Sequence, residues 1–261
     1  MAQDGARSGT QSIERAFAIL RLVAANSPRG LRLTDLTREM GLPASTLHRI
    51  LKTLQDGGLI ERSREGRRYI IGSELTLLGL SSPMRHFREL ASGTLRSLSD
   101  QVGDAVFLSV RSDADTVCVD RKIGDFPIQV LSIEIGSRRP LGISANGAAM
   151  LSRMTTGKAA AILDQNADRL QSFGVERAVL MERIAAGRTL GYVQIRHAIV
   201  EGTSALAVPI LDVLGQPVAA ISTIAIAWRQ PDHRIPLLIG LLQAAAAEIS
   251  TALIEDATRR R

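Results

Sequence analysis

Five residues of one short stretch carry groups suited to a polyanion: Ser45, Thr46, His48, Arg49 and Lys52. Their helical spacing puts them largely off the apolar stripe formed by Leu47, Ile50, Leu51 and Leu54. Hydroxyls and amines of this kind hold phosphates, while Arg49 and His48 can reach base edges. A second basic group, Arg62, Arg64, Arg67 and Arg68, follows within a short alternating segment. Such a cluster suits a phosphate backbone or a minor groove.

The elements that would position these side chains can be read around them. A first helix carries Leu33, Leu36 and Met40 inward, with Thr34 as its expected N-cap and Asp35 in its first turn. Thr34 joins the candidate DNA contacts. Gly41 ends that helix, Leu42-Pro43 makes a turn, and a second helix is predicted from Ala44 to Asp56. Gly57-Gly58 stops it. Leu59–Arg62 and Arg68–Ile71 then read as two strands around Glu65-Gly66. This order is that of a winged helix-turn-helix, with its second helix in the major groove.

Charge supports a nucleic-acid partner. The chain of 261 residues carries a net charge of +6. Residues 1–72 hold twelve basic and seven acidic side chains, so nearly all the excess lies there. Aromatics make up only 3% of the chain, leaving few stacking platforms for single-stranded RNA. A preceding helix, about Gln11 to Ala25, has an apolar side (Ile13, Ala16, Phe17, Ile19, Leu20, Val23) broader than one stripe. It would pack under the reading helix and could also carry a dimer contact. Residues 1–10 are small and polar, are expected to be a disordered leader, and do not resemble a signal peptide.

The division expected is residues 11–72 for the DNA-binding unit, 73–83 for a linker and 84–258 for a second domain. That domain mixes predicted strands at Ala105–Val110, Thr116–Arg121, Ile128–Ile133, Gly191–Ile195, Ser204–Leu211 and Pro217–Ile226 with helices. The helices are Arg85–Val102, Gly157–Leu163, Arg177–Ala186 and a closing one over Ile235–Ile254, with another through Ala148–Leu151 after a loop over Gly136–Gly147. An α+β domain with a mainly antiparallel sheet follows. The longest apolar run, Leu237–Ala247, is broken by Gly240 and Gln243 and falls short of a membrane span. The single cysteine, Cys118, reads as structural and fits a reducing, cytoplasmic setting.

Chemistry in the second domain is hard to find. The histidines His48, His86, His197 and His233 are scattered, with no metal-ligand spacing. No phosphate loop or dinucleotide fingerprint occurs. Gly142-Ile143-Ser144-Ala145-Asn146 falls one residue short of a nucleophile elbow. A hydrolase-like domain is therefore the runner-up. The main reading has no catalytic residue, no metal and no cofactor, and a pocket instead. Gly142, Ala145 and Gly147 permit close approach there, and Ser144, Asn146, Ser222 and Thr223 offer hydrogen bonds.

Three segments resemble the isocitrate lyase regulator (IclR-type) family of transcriptional regulators. They are Gln11–Ala16, Gly41–Arg49, and Glu201-Gly202 through Ile210 with Pro217–Ser222. The resemblance spans nearly the whole chain. It implies a GAF-like C-terminal domain that binds a small organic effector, with organic acids among the candidates, and a dimer or tetramer on double-stranded operator DNA. It further implies an effector pocket lined by Ser144, Ala145, Asn146, Thr203, Ala205, Ser222 and Ile224. The chain departs from the family pattern at Gly142, Ala148, Ala205 and Gln194–His197, which leaves fewer fixed charges in that pocket.

Overall fold

The computed structural model describes residues 4–27, 29–196 and 200–259. Residues 1–3 of the expected leader and His197 lie outside them. The chain divides into two compact units, residues 1–85 and 86–261.

The first unit runs α1 (Asp4–Ala25), α2 (Leu33–Met40), α3 (Ala44–Asp56), β1 (Ile60–Arg62), β2 (Tyr69–Ile71) and α4 (Ser73–Leu80). Its core joins Ile19 and Val23 of α1, Leu36 of α2, Leu47, Leu51 and Leu54 of α3, and Ile60 and Tyr69 of the hairpin. Each fully buried leucine is worth about 1.5–3 kcal/mol. Ile50 is half-buried, at the margin of the stripe predicted for it.

Two boundaries differ from the sequence reading. Helix α1 begins at Asp4, so part of the leader expected to be disordered is helical. Helix α2 begins at Leu33 with Arg32 as its N-cap. The Asp35 carboxylate accepts the Arg32 N–H at 2.9 Å, and Thr34 sits in the first turn rather than at the cap. An acid three residues inside the helix does the capping the threonine was expected to do.

The second unit begins in α5 (Pro83–Val102) and continues β3 (Ala105–Ser112), β4 (Asp115–Lys122), β5 (Arg138–Pro140), α6 (Ala145–Ser152), α7 (Thr156–Gln165), α8 (Ala167–Gln171) and α9 (Arg177–Leu190). It closes with β6 (Val193–Arg196), β7 (Thr203–Leu211), β8 (Pro217–Ile226) and α10 (Ile235–Arg259). Six strands form one antiparallel sheet in the order β5-β4-β3-β8-β7-β6. Helix α6 packs on β7 and β8 and against α9, while α10 also packs on β7 and β8. Thr94 of α5 donates to the Glu248 carboxylate of α10 at 2.8 Å.

The expected strand at Ile128–Ile133 does not form, and a strand forms at Arg138–Pro140 instead. Side chains, not a ladder, take up carbonyls along the earlier stretch. Arg121 donates to the Ile133 carbonyl at 3.0 Å, and Gln129 to that of Phe126 at 2.6 Å. Gly136, at φ 89°, then turns the chain so that Arg138–Pro140 pairs with β4. β5 is the sheet edge, where a proline removes no needed donor.

Helix α10 also corrects the sequence reading. Over Asp232–Arg259 it is long and apolar enough to cross a membrane on composition alone. Leu238, Leu242, Ala245, Ala246 and Ile249 are buried in the domain, and 28% of the apolar window is buried in all.

Gly72 fastens the wing to the end of α3. Its N–H donates to the Leu59 carbonyl at 3.0 Å, and an added Cβ would meet the Gly58 carbonyl oxygen at 2.1 Å. Gly72→Ala is expected to destabilise the first unit by about 1–3 kcal/mol in urea unfolding, as overpacking does. Gly79→Ala, where nothing lies within 4 Å, is expected to be neutral or stabilising by up to about 1 kcal/mol.

Candidate nucleic-acid interface and ligand cavity

The turn between α2 and α3 is set by Gly41, in left-handed geometry at φ 60°, and by Pro43 at the N-cap of α3. Leu47, Leu51 and Leu54 then anchor α3 inward, which turns Ser45, His48, Arg49 and Lys52 outward. Thr46 is half-buried and Thr34 exposed. Lys52 pairs with Asp56 at 3.5 Å, both well exposed, so the pair is weak and gives way readily to a phosphate. His48 and Arg49 have no side-chain partner among the described residues.

The wing arginines divide into two kinds. Arg62 stacks its guanidinium 4.1 Å from the centre of the buried Tyr69 ring and donates to the Tyr69 hydroxyl at 2.7 Å. Arg68 is half-buried and donates to the Gly30 carbonyl at 3.1 Å. These two hold the hairpin to the body of the unit. Arg64 and Arg67 are exposed and have no side-chain partner among the described residues. They are the wing cations presented to solvent.

In the second unit, Ser144, Ala145, Asn146, Thr203, Ala205, Ser222 and Ile224 all line one cavity of ≈ 650 Å³, its open mouth included. The sheet register explains the gathering. Ala205 stands opposite Ile224, and Ala207 opposite Ser222, so alternate residues of β7 and β8 share the face toward α6. Thr223, expected among the polar groups, pairs with Leu206 and points to the opposite face.

Ser144 caps α6, its hydroxyl accepting the Gly147 N–H at 3.1 Å. Asn146, almost fully buried, donates to the Ser109 hydroxyl at 2.8 Å and leaves its Oδ1 without a partner. The Thr116 hydroxyl, also buried, lacks one too. Cys118 lines the same space. Burial pushes its thiol up to about 11, so it stays protonated and unreactive at neutral pH. No group of three or more His, Cys, Asp or Glu able to hold a metal is found among the described residues.

Profile comparison matches residues 12–64 to the IclR helix-turn-helix domain and residues 83–251 to the bacterial transcriptional regulator IclR C-terminal domain. The chain belongs to the IclR family. As such it is a transcriptional regulator with an N-terminal helix-turn-helix and a C-terminal effector domain. It is 29% identical over 252 residues to the HTH-type transcriptional regulator XynR of Escherichia coli, covering 93% of this chain and 97% of that one. It is 28% identical to the E. coli transcriptional repressor IclR, over 93% and 89% of the two chains. Among solved structures it resembles an IclR regulator from Alicyclobacillus acidocaldarius, at TM-score 0.78 and 19% identity over 93% of this chain and 98% of that one. It also resembles an IclR homolog from Microbacterium hydrocarbonoxydans complexed with 4-hydroxybenzoate, at TM-score 0.73 and 21% identity over 93% and 98%.

The cavity of this IclR-family regulator contains residues that sequence reasoning missed: Ser109, Thr116, Ser137, Arg139 and Ile195 among them. Period-two alternation along β3 and β4 could have offered Ser109 and Thr116. Nothing in the sequence offers Arg139, whose stretch has the composition of a loop.

The division of the wing arginines is testable. Arg67→Ala is expected to weaken duplex binding about uniformly across sequences and to lower the salt slope by about 1. Arg68→Ala is expected to lower the melting temperature of the first unit, which thermal denaturation would register even without DNA.

Proposed function

We propose that this regulator senses a small organic molecule in the cavity beside α6 and converts its binding into altered operator affinity. The observation that carries the reading is the convergence of seven residues, from the loop before α6, from α6 itself and from two strands, on one cavity. In this reading Ser45, Thr46, His48, Arg49 and Lys52 face the major groove, with Arg64 and Arg67 on phosphates and Thr34 beside them. Arg68 contributes by holding the wing. Two protomers would read half-sites about 34 Å, or a multiple of that, apart. Ile13 and Phe17, 58% and 56% exposed on α1, suit a contact between protomers in a dimer or tetramer.

The second domain acts as a GAF-like sensor, with residues 73–83 as the linker. Its work on DNA puts the protein in the cytoplasm. The relative bound to 4-hydroxybenzoate is consistent with a small-molecule effector here. An enzymatic reading gains nothing from Ser144, whose hydroxyl is engaged as the cap of α6. For the ligand to regulate, it must bind the DNA-competent and DNA-incompetent states with different affinity.

Two outcomes check this. Arg49→Ala is expected to cost about 1–3 kcal/mol of specific operator binding with the fold intact; unchanged affinity in a fluorescence anisotropy titration would remove Arg49 from the reading face. Asn146→Ala and Ser222→Ala are expected to alter effector-dependent release while leaving ligand-free operator binding as in the wild type. Normal effector responses in both variants would move the sensing site elsewhere.

A further inference from the structure

The wing hairpin is flanked by a third extended segment, the stretch that joins α1 to α2. Leu31 pairs with Tyr69 across an antiparallel bridge, the two residues exchanging both backbone hydrogen bonds, at 3.0 and 2.7 Å. Gly30 makes the approach possible. It lies at φ 67°, and an added Cβ would collide with the Tyr69 carbonyl oxygen and with Ile70 Cγ2. With Leu31 opposite Tyr69, the next residue, Arg32, comes opposite Arg68. Tyr69 is buried, so by alternation Arg68 and Arg32 belong to the outer face. Arg68 is spent on the Gly30 carbonyl. Arg32 is exposed, and its guanidinium has no partner among the described residues.

This placement is electrostatically unfavourable twice over. Like charges directly across a ladder repel. Arg32 is also the N-cap of α2, with extended backbone at φ −79°, ψ 161°. A helix start favours Ser, Thr, Asp or Asn and carries partial positive charge, so a cation there is disfavoured. Asp35 offsets part of this cost through the Arg32 backbone N–H, at 2.9 Å. Glu61, opposite Ile70, and Glu65, in the turn of the hairpin, fall outside the row of Arg68 and Arg32. One missing partner would relieve both costs, an anion at the Arg32 guanidinium. Residues that break local rules in this way mark functional positions. Arg67, an exposed wing cation, is the chain neighbour of Arg68. Arg32 therefore continues the cations of the wing tip toward the first helix of the helix-turn-helix.

Resting on the reading of α3 and the wing as the DNA face, we propose that Arg32 is a further backbone-phosphate contact of the duplex. It joins the wing cations to α2 and anchors the protein without reading sequence. The unit accepts a less stable free state in exchange for a cation placed where a phosphate must come.

The test titrates the full chain into a fluorescent duplex of about 30 base pairs and arbitrary sequence, by anisotropy at several salt concentrations. Arg32→Ser is expected to lower the slope of log affinity against log salt by about 1. It is expected to weaken binding roughly eightfold at about 0.1 M salt, as a slope of about 0.9 per phosphate implies. Arg32→Lys is expected to keep most of the slope. Without DNA, Arg32→Ser is expected to melt no lower than the wild type, because serine caps a helix and the repulsion with Arg68 is gone. A residue retained for structure alone would do the reverse, lowering the melting temperature and leaving the slope unaltered.

An unaltered slope in Arg32→Ser, beside a lowered one in Arg67→Ala, overturns the Arg32 contact and leaves the wing reading standing. Unaltered slopes in both variants overturn both assignments. A slope lowered as much by Arg32→Lys as by Arg32→Ser ties the loss to local structure instead of charge, and overturns the contact too.

Discussion

Helix α6 is buried along its whole length, and the sensor domain is organised around that constraint. All eight of its residues, Ala145 to Ser152, are buried. A helix can be enclosed this way only if its neighbours approach closely. Ala145, Ala148 and Ala149 present little bulk toward the sheet, and Gly187 of α9 lies so near that an added Cβ would meet the Ser152 Cβ at 3.2 Å. Enclosure leaves the first-turn amides with no water to turn to. The Ser144 hydroxyl satisfies one of them. The cavity opens where the rest emerge, so the demand for polar partners and the space for a ligand coincide.

That coincidence has an energetic side. A buried polar atom without a partner costs about 1–3 kcal/mol. Thr116 and Asn146 each carry one at this corner. Elsewhere in the domain close packing of apolar side chains dominates, as in the cluster of Leu141, Leu151, Leu163, Leu180 and Ile184. The Ser204, Thr223 and Gln230 side chains also leave buried polar atoms without partners, but at the cavity a bound molecule can supply the missing partners.

The DNA-binding unit solves a different problem, the rigid display of flexible cations. Long side chains lose entropy when ordered, so the scaffold beneath them must already be fixed. Leu47, Leu51 and Leu54 lock α3 to the core, and Tyr69 anchors the hairpin. Two wing arginines are consumed in that work, Arg62 over the Tyr69 ring and Arg68 on the Gly30 carbonyl. The remaining pair, Arg64 and Arg67, keep their charge in solvent. Four arginines of one sequence cluster thus perform two jobs.

The helix-turn-helix was legible in the chain because its signals are local. Apolar spacing, Gly41, Pro43 and the Gly57-Gly58 stop each act within a few residues, and the outward face of α3 follows from them. The strands β3, β4, β7 and β8 were legible for the same reason, through alternation of apolar residues. What sequence could not decide was which of several available partners each backbone group takes. The acid of Asp35, not the hydroxyl of Thr34, caps α2. Side-chain bonds from Arg121 and Gln129 hold the stretch expected to be a strand, and Arg138–Pro140 takes the sheet edge instead. The resemblance to known regulators supplied the pocket residues. Register alone decided that Thr223 turns away from the cavity and that Arg139 stands opposite Thr116 at its wall. Periodicity tells which residues share a face of one strand, but only the tertiary pairing tells what that face meets.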